Sequence, residues 1–348
     1  MNSIFSVFQR VILTLIFIST PIVAEIVGSG ASFPYPFLKS IFKEYSAQTN
    51  IPIQYEPHGS KNGYVDLKEQ RVDFAGIDLY LSDSLIEQMP EPRDILHFPI
   101  TLSGIGIAYS LPNRPEVQLS TQVLANILIG RIQYWDDPAI QGLNPDIALP
   151  HMKIIVITRS KGSGSTYVLT QYLSYLNPAW EASFGVSSVL DIPGTLLAKN
   201  SDDMAQLLQQ IPGSIGYIGT AYQNEYSLQF AAMENSSGAY ILPSQDSLQA
   251  AARLPIPEDG RISCIFTDVE SGYPLTSFSW LIVYQDQFYQ DRSKKQAQQM
   301  AHFLNWFVRH SARISERHGF PVLPENALAI NESHLNKLRY KGRRLKSR

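Results

Sequence analysis

The chain has 348 residues, 44% hydrophobic and 17% charged, with a formal net charge of −3. That is apolar mass for about two packed domains, and too hydrophobic a composition for a disordered chain. The overall balance lacks the basic excess of a nucleic-acid binder, so no nucleic-acid partner is expected.

In chain order, residues 1–24 carry one charge, Arg10, followed by the apolar run Val11 to Ile18 and the small residue Ala24. The run is short for a membrane span and no second segment of spanning length follows, so 1–24 is expected to be a secretory signal peptide. The single cysteine, Cys264, leaves the exported chain without a disulfide or a lipid-attachment cysteine. That combination points to the soluble periplasm of a Gram-negative cell. Next comes a helix over 36–47, with Phe37, Leu38, Ile41, Phe42 and Tyr45 on one face. β-rich runs at 51–57, 103–111, 153–159 and 277–285 predict strands, and helices are expected over 166–176 and 294–318, the last stopped by Gly319 and Pro321. Interleaved strands and helices make the fold class α/β. From Lys337 to the end there are seven basic residues and no acidic one, so residues 25–336 hold 20 basic against 31 acidic side chains, a charge of −11. The tail, 337–348, is expected to be a solvated, mobile extension, with contact to an anionic membrane surface or a partner as the alternative.

The stretch Arg159 to Val168, RSKGSGSTYV, lies between an expected strand and an expected helix. Gly162 and Gly164 let backbone approach a ligand closely, while the helix N-terminus offers unpaired N–H groups and partial positive charge. Ser163 and Ser165 add hydroxyls, and Arg159 adds a planar fork suited to two oxygens of a tetrahedral anion. The alternative reading is a flexible turn with a serine cap. Two further hydroxyl-bearing turns lead into helices, at Gly28 to Phe42 with Ser32 and Phe33, and at Gly59 to Leu67 with Ser60. Asp78, after the apolar run of VDFAGIDLYLSD, is an acceptor-only group. Beside an anion it makes sense when the ligand carries a proton: protonated phosphate donates to a carboxylate, whereas fully ionised sulfate opposes it with another acceptor. Otherwise Asp78 is a loop-end residue bonding its own backbone.

GSGASFP (28–34), VDFAGIDLYLSD (72–83), ILIGRIQYWDDPAIQGLNP (127–145), RSKGSGSTYV (159–168), IPGSIGYIGTAY (211–222) and GYPLTSFSWLIVYQDQ (272–287) give the chain its resemblance to the periplasmic phosphate-binding proteins of phosphate-specific ABC transporters. The resemblance covers nearly all of the chain beyond residue 24, and LIGRIQYWDDPAI is its most specific part. It implies a two-lobed periplasmic-binding-protein fold of type II, with a hinge and a central cleft closing on one dehydrated phosphate. Lobe one would be 25–107 plus 276–336, and lobe two 108–275. It further implies a monomer without metal or organic cofactor, partnered by an inner-membrane permease and its ATPase subunits. By the same resemblance Ser32 and Phe33 would bind phosphate through main-chain N–H, with the Ser32 hydroxyl adding a bond. Ser60 would act likewise, Asp78 would accept the phosphate proton, Arg159 would supply a charged bond, and Ser163, Gly164 and Ser165 would complete the cradle.

Ser32 and Ser165 stand where the family commonly has threonine, which keeps the hydroxyl. Lys61 and Asn62 replace a glycine-rich pattern after Ser60. Lys161 stands where well-known members have an aspartate associated with the arginine and with rejection of sulfate; weaker discrimination against sulfate is expected if the lysine reaches the ligand. Two other classes remain at this point: a scaffold or adhesion protein that kept the fold and lost the ligand, and a phosphoester hydrolase. The hydrolase reading finds no H-E-x-x-H, no G-x-S-x-G and no P-loop in the sequence.

Overall fold

The computed structural model describes residues 25–92, 94–265, 269–318 and 320–345, so the expected signal peptide lies outside it. Among these residues no helix is long and apolar enough to cross a membrane. The chain opens with β1 (Ile26–Gly30), α1 (Tyr35–Thr49), β2 (Ile53–Glu56), α2 (Ser60–Lys68), β3 (Phe74–Ile77), the one-turn α3 (Asp83–Ile86) and the long β4 (Ile95–Tyr109). It continues through β5 (Gln118–Leu119), α4 (Thr121–Leu128), α5 (Pro138–Gln141), β6 (Ile155–Arg159), α6 (Gly164–Leu176), α7 (Pro178–Ser183), β7 (Leu196–Ala198), α8 (Ser201–Gln210) and β8 (Ser214–Gly219). Short elements follow: α9 (Gln223–Tyr226), β9 (Gln229–Phe230), β10 (Ala232–Glu234), β11 (Tyr240–Ile241) and α10 (Gln245–Ala251). The last part holds β12 (Thr276–Tyr284), α11 (Lys294–His318), α12 (Glu325–Lys337) and the hairpin β13 (Arg339–Tyr340) and β14 (Arg343–Arg344).

The main sheet runs β2-β1-β3-β12-β4-β8-β6-β7, with β9 also on β4. Its two halves share β4: Ile95 to Gly104 pairs antiparallel with β12, and Ile105 to Tyr109 pairs with β8. Every residue of β12 and nearly every residue of β4 is buried, which explains why both read as continuous apolar runs rather than alternating ones. β4 starts earlier than the expected 103 because Pro99, a strand-breaking signal, is accommodated inside it. Ser279 faces Thr101 and the next residue, Trp280, faces Pro99, so Ile100 is the extra residue of a bulge on β4, the kind of irregularity that spares the ladder a missing N–H. In the first half, the apolar stripe of α1 packs on α11. Tyr45 lies edge-on to Phe303 and Trp306, with ring centroids 5.1 and 5.3 Å away. Asn50 ends α1 in the left-handed conformation at φ 57°, a position that asparagine tolerates.

The C-terminal segment differs from its expected mobility. Up to Leu345 it forms a docked hairpin, with Leu338 and Leu345 buried against the α11 core. Arg339 N donates to Gln285 O at 2.8 Å and Gln287 N donates to Arg339 O at 2.9 Å. Two leucines at the ends of a charged stretch anchor it, a pattern that the charge count obscured.

Candidate anion-binding site

β1, β2 and β3 are mutually parallel, as are β6, β7 and β8. The expected site residues of β1, β2, β3 and β6 all lie at or just beyond the carboxyl ends of their strands, where open α/β sheets present their crevices. Gly30 is needed for the first turn: its φ is +124°, and a β-carbon there would meet Gly76 O at 2.2 Å. After the turn, Ser32 and Phe33 are buried, and neither main-chain N–H has a partner among the described residues. Helix α6 begins at Gly164 with Ser163 as its cap residue, so its first-turn N–H groups are free by helix geometry.

Asp78 is the acceptor at the centre. It is 3% exposed; Ser60 Oγ donates to Oδ2 at 3.0 Å and Ser279 Oγ donates to Oδ1 at 2.9 Å. Ser277 Oγ adds a bond to the Asp78 carbonyl at 3.3 Å. Burial pushes the carboxyl up to about 7, against the pull of Ser279, Ser60 and the Arg159 cation. Gly164, from the other half of the sheet, sits directly on this carboxylate, since a β-carbon there would lie 2.5 Å from Asp78 Cβ. Arg159 is 4% exposed; its Nη1 donates to Ser163 Oγ at 3.0 Å and its Nη2 to Lys199 O at 3.5 Å. Burial pulls the guanidinium below its ordinary value, while Tyr217, Tyr222 and Asp78 support its charge. Its Nε and the Ser165 hydroxyl are buried without a partner among the described residues.

The halves touch around this cluster. Ser32 Oγ and Ser201 Oγ are 3.0 Å apart, and Tyr222 OH donates to Ser32 O at 2.6 Å. The Lys61 stem lies against Gly162. Lys61 and Lys161 themselves are exposed at the loop edges, so Lys161 is at the rim rather than in the buried cluster. A cavity of about 310 Å³ adjoins Asp78 and Ser277, while another of about 400 Å³, between Phe37, Ser103 and Thr220, shares no residue with the cluster; the chemistry described here is in the closed contact itself. Unpaired amides, hydroxyls and one guanidinium around a single protonatable carboxylate suit a small, protonated oxyanion. They offer no cation site, and among the described residues no three His, Cys, Asp or Glu side chains cluster to hold a metal.

All eight expected site residues, Ser32, Phe33, Ser60, Asp78, Arg159, Ser163, Gly164 and Ser165, fall at this junction. Sequence reasoning missed Ser277, Ser279, Ser201, Tyr217 and Tyr222. The alternation Ser277-Phe278-Ser279 on β12 carried a signal, two hydroxyls on one strand face, but nothing in it named Asp78 as their partner. Ser201 opens α8 behind the capping Asn200, a fourth polar helix start.

A shared-strand α/β sheet that gathers anion-directed donors from both halves defines a two-lobed substrate-binding protein. Residues 17–311 match the PBP superfamily domain. The chain is 30% identical over 306 residues to phosphate-binding protein PstS of Xylella fastidiosa, covering 86% of this chain and 82% of that one. It is 31% identical over 304 residues to PstS of Haemophilus influenzae, covering 86% and 89%. PfluDING, a high affinity periplasmic phosphate-binding protein solved with phosphate, shares the fold with TM-score 0.69 at 22% identity, over 89% of this chain and 93% of its own. The chain belongs to the PBP superfamily and, within it, to the PstS family of phosphate-binding proteins.

Proposed function

We propose that the chain captures inorganic phosphate in the periplasm, between two lobes, and delivers it to an inner-membrane ABC permease with its ATPase subunits. The relatives named for phosphate binding support this reading, and the comparisons give no support to a hydrolase or a scaffold. Lobe one comprises 25–107 with 276–336, and lobe two 108–275; the change of partner along β4 from β12 to β8 after Gly104 favours a hinge in this region. The N-terminal 24 residues direct export, and the receptor works as a monomer.

The observation that carries the reading is Asp78: buried, satisfied at both oxygens by serine hydroxyls, and facing Arg159 across the junction. In the bound state Ser32, Phe33, Ser60, Ser163, Gly164 and Ser165 donate to phosphate oxygens, Arg159 adds a charged bond, and Asp78 accepts the proton that phosphate retains. Sulfate brings no proton, so it sets two acceptors against each other in a site closed to water. Closure over the ligand is the form that the permease recognises. Lys161, exposed at the rim, acts on selectivity through its field rather than by contact.

The test is calorimetric titration of protein stripped of anion by unfolding and refolding, with phosphate alone and then in excess sulfate. One-to-one phosphate binding that survives sulfate is expected. A folded chain that binds no phosphate overturns the reading in favour of a scaffold.

A further inference from the structure

We propose that the C-terminal hairpin is a docking element for an anionic lipid surface. Lys341, Arg343 and Arg344 are exposed on it, and Lys294 and Lys295, also exposed, open the neighbouring α11. Tyr340 OH ties the two elements together by donating to Arg292 O at 3.1 Å. None of these five cations forms an ion pair among the described residues. The contrast with other arginines of this acidic chain is clear: Arg71, Arg261, Arg292, Arg313 and Arg317 are each paired with a carboxylate. The acidic groups nearest the patch do not neutralise it. Asp286 accepts from Lys341 N at 3.0 Å and Gly342 N at 2.6 Å and keeps its charge there, so even with the exposed Asp291 and Glu332 counted against it the patch holds five cations to three carboxylates.

The patch is built, not a loose tail. Leu338 and Leu345 bury its base, and Lys341 Nζ lies 4.1 Å from the Phe288 ring centroid. Its place in the fold selects a lipid surface among anionic partners. β12 starts at the anion site and ends beside the hairpin, and the seven steps from Ser279 to Asp286, just past its end, span about 23 Å at strand rise. β1 is parallel to β3, and β12 antiparallel to it, so Ile26 at the start of β1 emerges at this same far pole. Docking there leaves the cleft and the hinge free, and holds an otherwise acidic receptor near the membrane that its transporter occupies.

The test uses full-length chains, wild type and K341Q/R343Q/R344Q, so any contribution of residues 1–24 is the same in both. Sedimentation with vesicles of phosphatidylcholine alone, and with about one-third phosphatidylglycerol, measures partitioning across a range of salt. Wild type is expected to bind the anionic vesicles more tightly than the neutral ones, and that excess is expected to be released by salt. Each removed charge weakens binding about fivefold, and the triple change about a hundredfold. Phosphate titration of the same variant is expected to be unchanged, which excludes misfolding. Equal binding by both chains, or no preference of wild type for anionic vesicles, overturns the proposal. Wild type that binds the anionic vesicles but no phosphate would instead count against the function proposed above.

Discussion

Asp78→Asn separates what the carboxylate costs the closed cleft from what it does for the ligand. Raising the group from an ordinary 3.8 to about 7 corresponds to about 4 kcal/mol between its two protonation states. The folded value exceeds the unfolded one, so the closed chain holds a proton that a solvated carboxyl has already released. Closed-state stability is therefore complete below about 3.8 and falls as pH rises to about 7. Part of the burial comes from Gly164 across the junction, so opening the empty cleft relieves the cost without unfolding. Small-angle scattering of anion-free wild type is expected to show a more open particle at about pH 8 than at about pH 5, whereas Asp78→Asn shows little difference. On the function proposed above, bound phosphate would remove the penalty by sharing its proton with the carboxylate. In titrations, the asparagine loses about 1–3 kcal/mol of phosphate affinity, roughly five- to 150-fold, and gains sulfate affinity because its amide donates where the carboxylate opposed. An unchanged phosphate-to-sulfate ratio would refute Asp78 as the proton acceptor. Identical scattering of wild type at both pH values would show that closure does not bear the burial cost.

Arg159→Lys keeps the charge but loses the planar fork, and phosphate affinity is expected to fall about ten- to a hundredfold by calorimetry. Gly164→Ala forces a methyl group against Asp78, where its carbon would lie 2.5 Å from Cβ. Overpacking of about 1–3 kcal/mol should appear as lost phosphate affinity, with the thermal stability of the anion-free chain little changed. Lys61→Gln with Lys161→Gln removes two rim cations; stopped-flow association should slow several-fold at low salt and match wild type at high salt, with dissociation unaltered. Leu338→Ala, at a fully buried position, should cost about 2–5 kcal/mol in denaturant unfolding, an outcome that a mobile tail would not give.

What was legible in the sequence was local, and what was missed depended on distant partners. α11 runs from Lys294 to His318 as its periodicity indicates, because a long amphipathic stripe leaves one answer. The glycine and serine turns at strand ends were readable because a helix N-terminus near a strand terminus is an anion site wherever the sheet places it. Ser279 was not readable in the same way, since its partner Asp78 lies 201 residues earlier and only the order β3-β12-β4 brings them together. The true start of β4 was hidden in the same way: Pro99 locally signals a strand end, and the bulge at Ile100 that accommodates it depends on pairing with β12.

The C-terminus shows how composition can hide pattern. Seven cations in twelve residues read as solvated chain, yet Lys341 and Gly342 both take positive φ, 52° and 73°, as a two-residue type I′ hairpin requires. Lys-Gly is a weaker signal for that turn than Asn-Gly, and the turn amides needed Asp286, fifty-odd residues away, to accept them. The like charges do not prevent folding, because they are exposed, and salt screens their repulsion beyond about 10 Å. Burial of Leu338 and Leu345 contributes about 1.5–3 kcal/mol each and outweighs it. A hairpin that folds with its cations unpaired retains their full field for a partner, whereas a mobile tail would lose entropy on every encounter.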